Sequence, residues 1–237
     1  MIIPARMAST RLPGKPLADI GGEPMVVHAW RAANRHPDIE GVRVATDHPD
    51  IAAAVQSAGG VAIMTSSEHA TGTDRCHEAW QQWHEAQDHA ILNLQGDEPF
   101  PDPEHISRIC AAMRAGRWDI VTAMRPAEAD EVASENRVKV AAGQDGRSLY
   151  FSRSPIPSGG PFHIHIGLYG FAPKVIGQCA SLPRGTLEKS EQLEQLRWLE
   201  AGLEMGIVRV ADDHGPGAVD TASDLERVRQ WHTAQTR

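Results

Sequence analysis

The sequence is poor in several features on which whole classes of protein depend. It holds three cysteines in 237 residues, Cys76, Cys110 and Cys179, widely spaced and with no Cys-x-x-Cys pair. That argues against a disulfide framework and a structural zinc site, and suits a reducing cytosol. No run approaches the roughly 20 consecutive apolar residues that cross a bilayer. The opening MIIPARMASTR also lacks the basic start and apolar stretch of a signal peptide. A cytoplasmic protein with no membrane insertion is therefore expected. Basic charge is short as well: 23 Lys and Arg face 31 Asp and Glu, a formal net charge of −8. No overall positive field exists to collect nucleic acid or anionic lipid, and no nucleic-acid partner is expected. Internal repeats, low-complexity tracts and clear linkers are absent too. With 41% hydrophobic residues, the chain can form one substantial core, read here as a single domain over residues 1–237.

Short apolar runs alternate with longer helical segments, the pattern of parallel strands joined by crossover helices. The first half reads βαβαβ: strands at residues 1–4, 42–46 and 61–65, with helices at 24–34 and 49–58. Gly59 and Gly60 supply a helix stop signal. A helix rich in Trp and His spans 74–86. AILNLQ at 90–95 then reads as a strand buried on both faces. A helix over 103–115 leads into the strand DIVTAM, with Asp119 at its mouth. Thereafter, strands at 138–151 and 164–171 flank the turn-rich SPIPSGGP with no helix between them. Antiparallel pairing follows, in a subdomain or at a dimer contact over about residues 138–190. Residues 186–202 predict a helix with Leu193, Leu196, Leu199 and Leu203 as its buried stripe and Glu191, Glu194, Gln195 and Trp198 on another face. IVRVAD is a last strand. A helix over 223–233 follows, with Ser223 as N-cap and Glu226 three residues on.

In such a sheet, ligands bind beyond the carboxyl ends of the strands. The loop PARMASTRLPGKP at 4–16 sets Arg6, Arg11 and Lys15 among small residues, which makes an anion cradle or, failing that, a solvated basic loop. It is not a Walker A loop, because Lys15 is followed by proline. HATGTDR at 69–75 offers hydroxyls and amides that can read a base edge; Thr73 or Asp74 can equally be an N-cap, and Asp74 is preferred for that task. In QGDEP, Asp97 follows a buried strand and suits Mg²⁺, or is simply a turn acid. Asp220, in GAVDTASDLERVR, is a second metal ligand or the anchor of the last helix. His163 and His165 share a strand face by the period of two, but no third zinc ligand has a recognisable spacing. His165 is read as a hydrogen-bonding partner of a polar substrate, or as an ordinary strand histidine. Trp80 and Trp83, three apart, read as core or interface.

The segments IPARMASTRLPGKPL, VATD, MTSSEHATGTDR, LNLQGDEP, LYFSRSPIP, HIGLYGF, LEQLR and VDTASDLERVR, in this order over nearly the whole chain, resemble the 3-deoxy-D-manno-octulosonate cytidylyltransferases, or CMP-Kdo synthetases. The resemblance implies an α/β class: a three-layer α/β/α nucleotide-diphospho-sugar transferase fold, Rossmann-like and mostly parallel, with a small antiparallel dimerisation region and a homodimer. It implies transfer of CMP from CTP to the anomeric hydroxyl of a 3-deoxy-ulosonic acid, with release of pyrophosphate, a cytoplasmic step of lipopolysaccharide biosynthesis. Carried over by position, Arg6, Ser9 and Lys15 resemble the triphosphate loop, with Lys15 and Arg11 the cations nearest the leaving pyrophosphate. Thr71, Gly72, Thr73 and Arg75 resemble the cytidine-reading stretch, to which Gln95 adds. Gln95, Arg153, His165, Tyr169, Glu191, Glu194 and Gln195 resemble the acid-sugar pocket. Asp97 and Asp220 resemble the Mg²⁺ ligands, and with Lys15 and Arg11 they form the implied catalytic group.

The chain departs from the family between SRSPIP and HIGLYGF, where only residues 158–165 stand and the family carries a longer connection over the sugar site. Phe171, where the family often has Tyr, is a smaller change. Alternatives are therefore a different acid acceptor, another nucleotide such as GTP or UTP, and a non-catalytic nucleotide-binding protein. The last would have no need of both Asp97 and Asp220.

Overall fold

The computed structural model describes residues 1–9, 11–211 and 215–236. Asp212, the end of the predicted strand IVRVAD, lies outside them. The strands are β1 (Ile2–Ala5), β2 (Asp19–Ile20), β3 (Glu23–Pro24), β4 (Arg43–Thr46), β5 (Ala62–Met64), β6 (Ile91–Asn93), β7 (Ile120–Pro126), β8 (Lys139–Ala142), β9 (Ser148–Ser152), β10 (His163–Phe171) and β11 (Met205–Arg209). The helices are α1 (Met25–Asn34), α2 (Pro49–Ser57), α3 (Gly72–Gln82), α4 (Pro103–Arg114), α5 (Val175–Ser181), α6 (Thr186–Glu191), α7 (Gln195–Glu200) and α8 (Ala222–Gln235). None among the described residues is long and apolar enough to cross a membrane. The chain forms two compact units, residues 1–87 with 92–103 and 214–237, and residues 88–91 with 104–213.

In the first unit β1 runs parallel to β4, Ile2 opposite Arg43 through Ala5 opposite Thr46. β4 runs parallel to β5, and β1 to β6. This is the parallel arrangement that the apolar runs predict: Ile2, Ile3, Val44, Ala45, Leu92 and Leu94 are buried, as strands covered on both faces require. α1 buries Met25, Val26, Val27, Ala29, Trp30 and Ala33. A separate cluster of Ile20, Met25, Val219, Leu225 and Val228 packs with Leu12 and Phe100, so α8 is seated beside the loop that follows β1.

Both helices that open at the loops of interest begin earlier than the sequence reading placed them. Thr71 caps α3: its hydroxyl accepts from Asp74 N at 3.1 Å and its amide donates to the Asp74 carboxylate at 3.1 Å. Asp74, expected as the cap, is thus the third residue of a capping box. The same Thr-x-x-Asp box, Thr221 with Asp224, opens α8 in place of Ser223 with Glu226. Burial pushes the Asp224 carboxyl up, but hydrogen bonds from Thr221, Arg227 and two backbone amides outweigh it and hold the group at about 2.

In the second unit β7 runs parallel to β11 and antiparallel to β10, while β8, β9 and β10 pair antiparallel as predicted. The stretch read as one strand over 138–151 is a hairpin, because Gly143 and Gly146 close a turn in its middle. The single helix predicted over 186–202 is two, α6 and α7, interrupted where Gln192 adopts φ 54°. The break changes the helical phase. Leu193 and Leu196 stay buried, but Trp198 (1% exposed) and Gln195 (4%), assigned to another face, are buried too, whereas Leu199 and Leu203 are half-buried. Glu188 and Arg197 join α6 to α7 through a buried ion pair at 2.8 Å.

Candidate active site

A cavity of about 370 Å³ opens in the first unit. Arg6, Ser9, Arg11 and Lys15 reach it from the loop after β1, Thr71, Gly72 and Arg75 from the start of α3, Gln95 and Asp97 from the exit of β6, and Asp220 from just before α8. Thr73 does not line it and is buried. The exits of β1 and β6 pass in contact: a Cβ on Gly96 would lie 2.3 Å from the Pro4 carbonyl oxygen. Only glycine permits that approach, and it is what brings Gln95 and Asp97 beside the basic loop.

Lys15 occupies the centre. Gly14 enters the left-handed region at φ 69° and Pro16 follows, so Lys15 begins a short 3₁₀ turn, Lys15–Leu17. Its Nζ donates to Asp97 Oδ2 at 2.9 Å, to the Val219 carbonyl at 2.9 Å and to Asp220 Oδ1 at 3.3 Å. Arg11 also donates to Asp220 Oδ1, at 2.9 Å. Two backbone bonds fix the acids in turn: Val219 N donates to the Asp97 carbonyl at 2.8 Å, and Asp220 N to Asp224 Oδ2 at 3.2 Å. The two carboxylates expected as a metal pair therefore converge on one point, with 30% and 41% of their side chains exposed. Among the described residues no group of three or more His, Cys, Asp or Glu is assembled for a metal. Two convergent carboxylates suit a hard cation that completes its shell with water and phosphate oxygens, as Mg²⁺ does.

Behind the cavity lies a network that the sequence reading did not assign. Arg75 donates to Thr65 Oγ1 at 2.7 Å and to Asp47 Oδ2 at 3.1 Å, and Asp47 Oδ1 accepts from Met7 N at 3.3 Å. Asp47 thus ties the loop bearing Arg6 and Ser9 to α3. Two of the five N–H donors of Arg75, read as part of a cytidine-recognising stretch, go to this support, and the residue also lines the cavity. His69, also on the cavity, is bonded to Glu78. The only local signals were the last letter of VATD and the first of HATGTDR.

Of the residues assigned to the sugar, Gln95 lies on the cavity of the first unit and the others are in the second. Arg153 and Glu191 are brought together: Arg153 N donates to Glu191 Oε2 at 2.9 Å and Arg153 Nε to the Glu191 carbonyl at 2.9 Å. Further guanidinium donors go to the carbonyls of Glu135 and Gln192. His165 lies against Phe151 and Tyr169 with Nε2 2.9 Å from Thr122 Oγ1. That hydroxyl has one proton and also lies within hydrogen-bond reach of the carbonyls of Ile166 and Leu168; given to either carbonyl, it would have His165 donate from Nε2 and keep Nδ1 as an acceptor. Burial pushes the His165 pKa down to about 3, so the ring is neutral. Burial raises the Tyr169 phenol, and the charge of Glu194 adds to the effect. Lys139, missed by sequence reasoning, is fully buried, with Nζ donating to the carbonyls of Ser134, Arg137 and Arg153. Its signal was a lone cation inside the apolar run VKVAA.

An α/β fold whose strand ends carry a cationic loop, a cavity lined by hydroxyls and amides, and two converging acids defines a nucleotide-handling enzyme. The profile described as cytidylyltransferase matches residues 1–207. The chain belongs to the cytidylyltransferase family. It is 45% identical to a 3-deoxy-manno-octulosonate cytidylyltransferase of Nitrobacter hamburgensis, over 97% of this chain and 91% of that one. It is 43% identical to one of Anaeromyxobacter sp., over 100% and 98%. Among solved structures, a CMP:2-keto-3-deoxy-manno-octonic acid synthetase complexed with CTP superposes with a TM-score of 0.92 at 38% identity, covering 99% of this chain and 98% of that one. The nucleotidyltransferase fold expected from the resemblance is therefore the one present. A glucose-1-phosphate thymidylyltransferase of Bacillus anthracis, at 16% identity and a TM-score of 0.69, shares the fold alone, covering 97% of this chain and 93% of its own.

Proposed function

We infer that the protein transfers CMP from CTP to the anomeric hydroxyl of 3-deoxy-manno-octulosonate and releases pyrophosphate. The observation that carries this reading is the meeting of Lys15, Asp97 and Asp220 on a cavity that Thr71, Gly72 and Gln95 also line. The near full-length likeness to octulosonate cytidylyltransferases names the substrates. In this reaction the hydroxyl oxygen attacks the α-phosphorus in line, its proton goes to solvent or base, and the bond to pyrophosphate breaks. The protein's task is to position the reactants and neutralise the oxygens that gain charge. Arg6, Ser9 and Lys15 face the triphosphate, with Arg11 as an outer cation. Thr71, Gly72 and Gln95 read the base, held in place by Arg75 on Asp47. Asp97 and Asp220 would hold Mg²⁺. When bound, that ion supplies positive charge beside the phosphates and makes a bound hydroxyl more acidic.

Arg153, His165, Tyr169, Glu191, Glu194 and Gln195 serve the acid sugar, the free Nδ1 of neutral His165 accepting from a sugar hydroxyl. The same reading includes a homodimer through the region of about 138–190 and a cytoplasmic place in lipopolysaccharide biosynthesis. Incubation with Mg²⁺, each nucleoside triphosphate and a panel of ulosonic and other hydroxy acids, followed by mass analysis, should yield a CMP conjugate of the octulosonate. Exclusive use of another acid, or of GTP or UTP, overturns the assignment.

A further inference from the structure

Lys15 has a geometry that does more than await a phosphate. Its ammonium has three protons and three acceptors, Asp97 Oδ2, the Val219 carbonyl and Asp220 Oδ1, so its hydrogen-bonding capacity is filled within the protein. The stem is held between Gly14 and Pro16, and the side chain is 16% exposed. A magnesium or manganese ion sits about 2.1 Å from each carboxylate oxygen it binds. At that distance from Asp97 Oδ2 and Asp220 Oδ1 it would need the space and lone pairs that Nζ takes, and the two cations repel. Arg11 also touches Asp220 Oδ1, but its side chain is 64% exposed and its charge is screened.

We propose that Lys15 gates the metal seat: it acts as a surrogate cation between Asp97 and Asp220 until a triphosphate offers the ammonium other acceptors. The divalent ion is thereby admitted with the nucleotide and not before it. This rests on Asp97 and Asp220 being the metal ligands, and it adds an order of assembly to that reading. The consequence is a coupling between nucleotide and metal affinity that the protein itself imposes. It also gives Lys15→Met an effect opposite in sign to its loss of CTP affinity: a tighter metal site in the empty enzyme.

The test titrates Mn²⁺ into nucleotide-free full-length protein and reads free ion by electron paramagnetic resonance. Lys15→Met and Lys15→Gln, both neutral, should bind Mn²⁺ at least tenfold more tightly than wild type. Lys15→Arg, which keeps the charge, should stay near wild type. Adding Asp97→Asn to Lys15→Met should abolish the gain. If whichever neutral variants fold bind no more tightly than wild type, Lys15 is not a gate. Should the gain survive Asp97→Asn, the ion sits elsewhere, and the metal assignment falls together with the gate.

Discussion

At the scale of the residue, Asp47 shows how a side chain outside the cavity lining can hold the cavity's loop and helix together. Its two oxygens hold Met7 N and the buried guanidinium of Arg75. Removing one partner of a buried ion pair leaves an uncompensated charge, which costs about 3–5 kcal/mol. Asp47→Ala should accordingly lower stability by about 3 kcal/mol, a fall in melting temperature of roughly 6–12 °C. Because the loop bearing Arg6 and Ser9 loses its anchor, KM for CTP should rise by a larger factor than kcat falls. Steady-state kinetics and thermal melts check both. None of this was legible in the sequence: Asp47 and Arg75 are 28 residues apart, and pattern alone does not pair them. Lys15, Asp97 and Asp220 were legible, because each ends or follows a strand or opens a helix in a segment whose composition suits anions or cations. Gly96→Ala tests the close approach at the cavity floor. The added methyl must push Pro4 away, and a loss of about 1–3 kcal/mol together with most of the turnover is expected.

At the scale of the element, the strands and their parallel or antiparallel sense followed from hydrophobic runs and from the presence or absence of helices between them. What failed were boundaries, the hairpin within 138–151, the break at Gln192, and the short β2, β3 and α5, which the runs did not mark. Thr71-Gly-Thr-Asp74 and Thr221-Ala-Ser-Asp224 each contain several residues able to cap a helix. The choice among them is made by the direction in which the chain leaves the preceding loop, a tertiary fact. The break at Gln192 was hidden for a similar reason, since glutamine is an ordinary helix former and no glycine marks the left-handed position. A pair of substitutions separates the two readings of α8. Thr221→Ala should lose about 1 kcal/mol and reduce Mg²⁺-dependent turnover by displacing Asp220. Ser223→Ala, at the residue the sequence suggested as cap, should change stability by under about 0.5 kcal/mol. Denaturant melts and initial rates distinguish them.

At the scale of the whole molecule, partly or deeply buried histidines set the response to acid. His28, His77, His163 and His165 are all held below their usual value of 6.5, burial being the largest cause in each, and His165 reaches about 3. The unfolded chain therefore binds more protons than the folded one below about pH 6.5, and their contribution to stability is lost progressively as pH falls from there toward 3. Asp224, held at about 2 against an ordinary 3.8, adds a loss in the same direction at lower pH. Urea melts at stepped pH should show falling stability below about 6.5. His165→Gln should make that slope shallower by up to about 1.4 kcal/mol per pH unit.

The same long-range closure has a temporal side. Lys15 and Asp220 are separated by 205 positions in the chain. At ribosomal rates of about 5–20 residues per second, some 10–40 s pass between the synthesis of one and of the other. Asp97 follows Lys15 by only 82 positions and is made early in that interval, but Asp220, the second acid on the lysine, is missing until its end. The meeting of Lys15, Asp97 and Asp220 is complete only when α8 has left the ribosome and folded back.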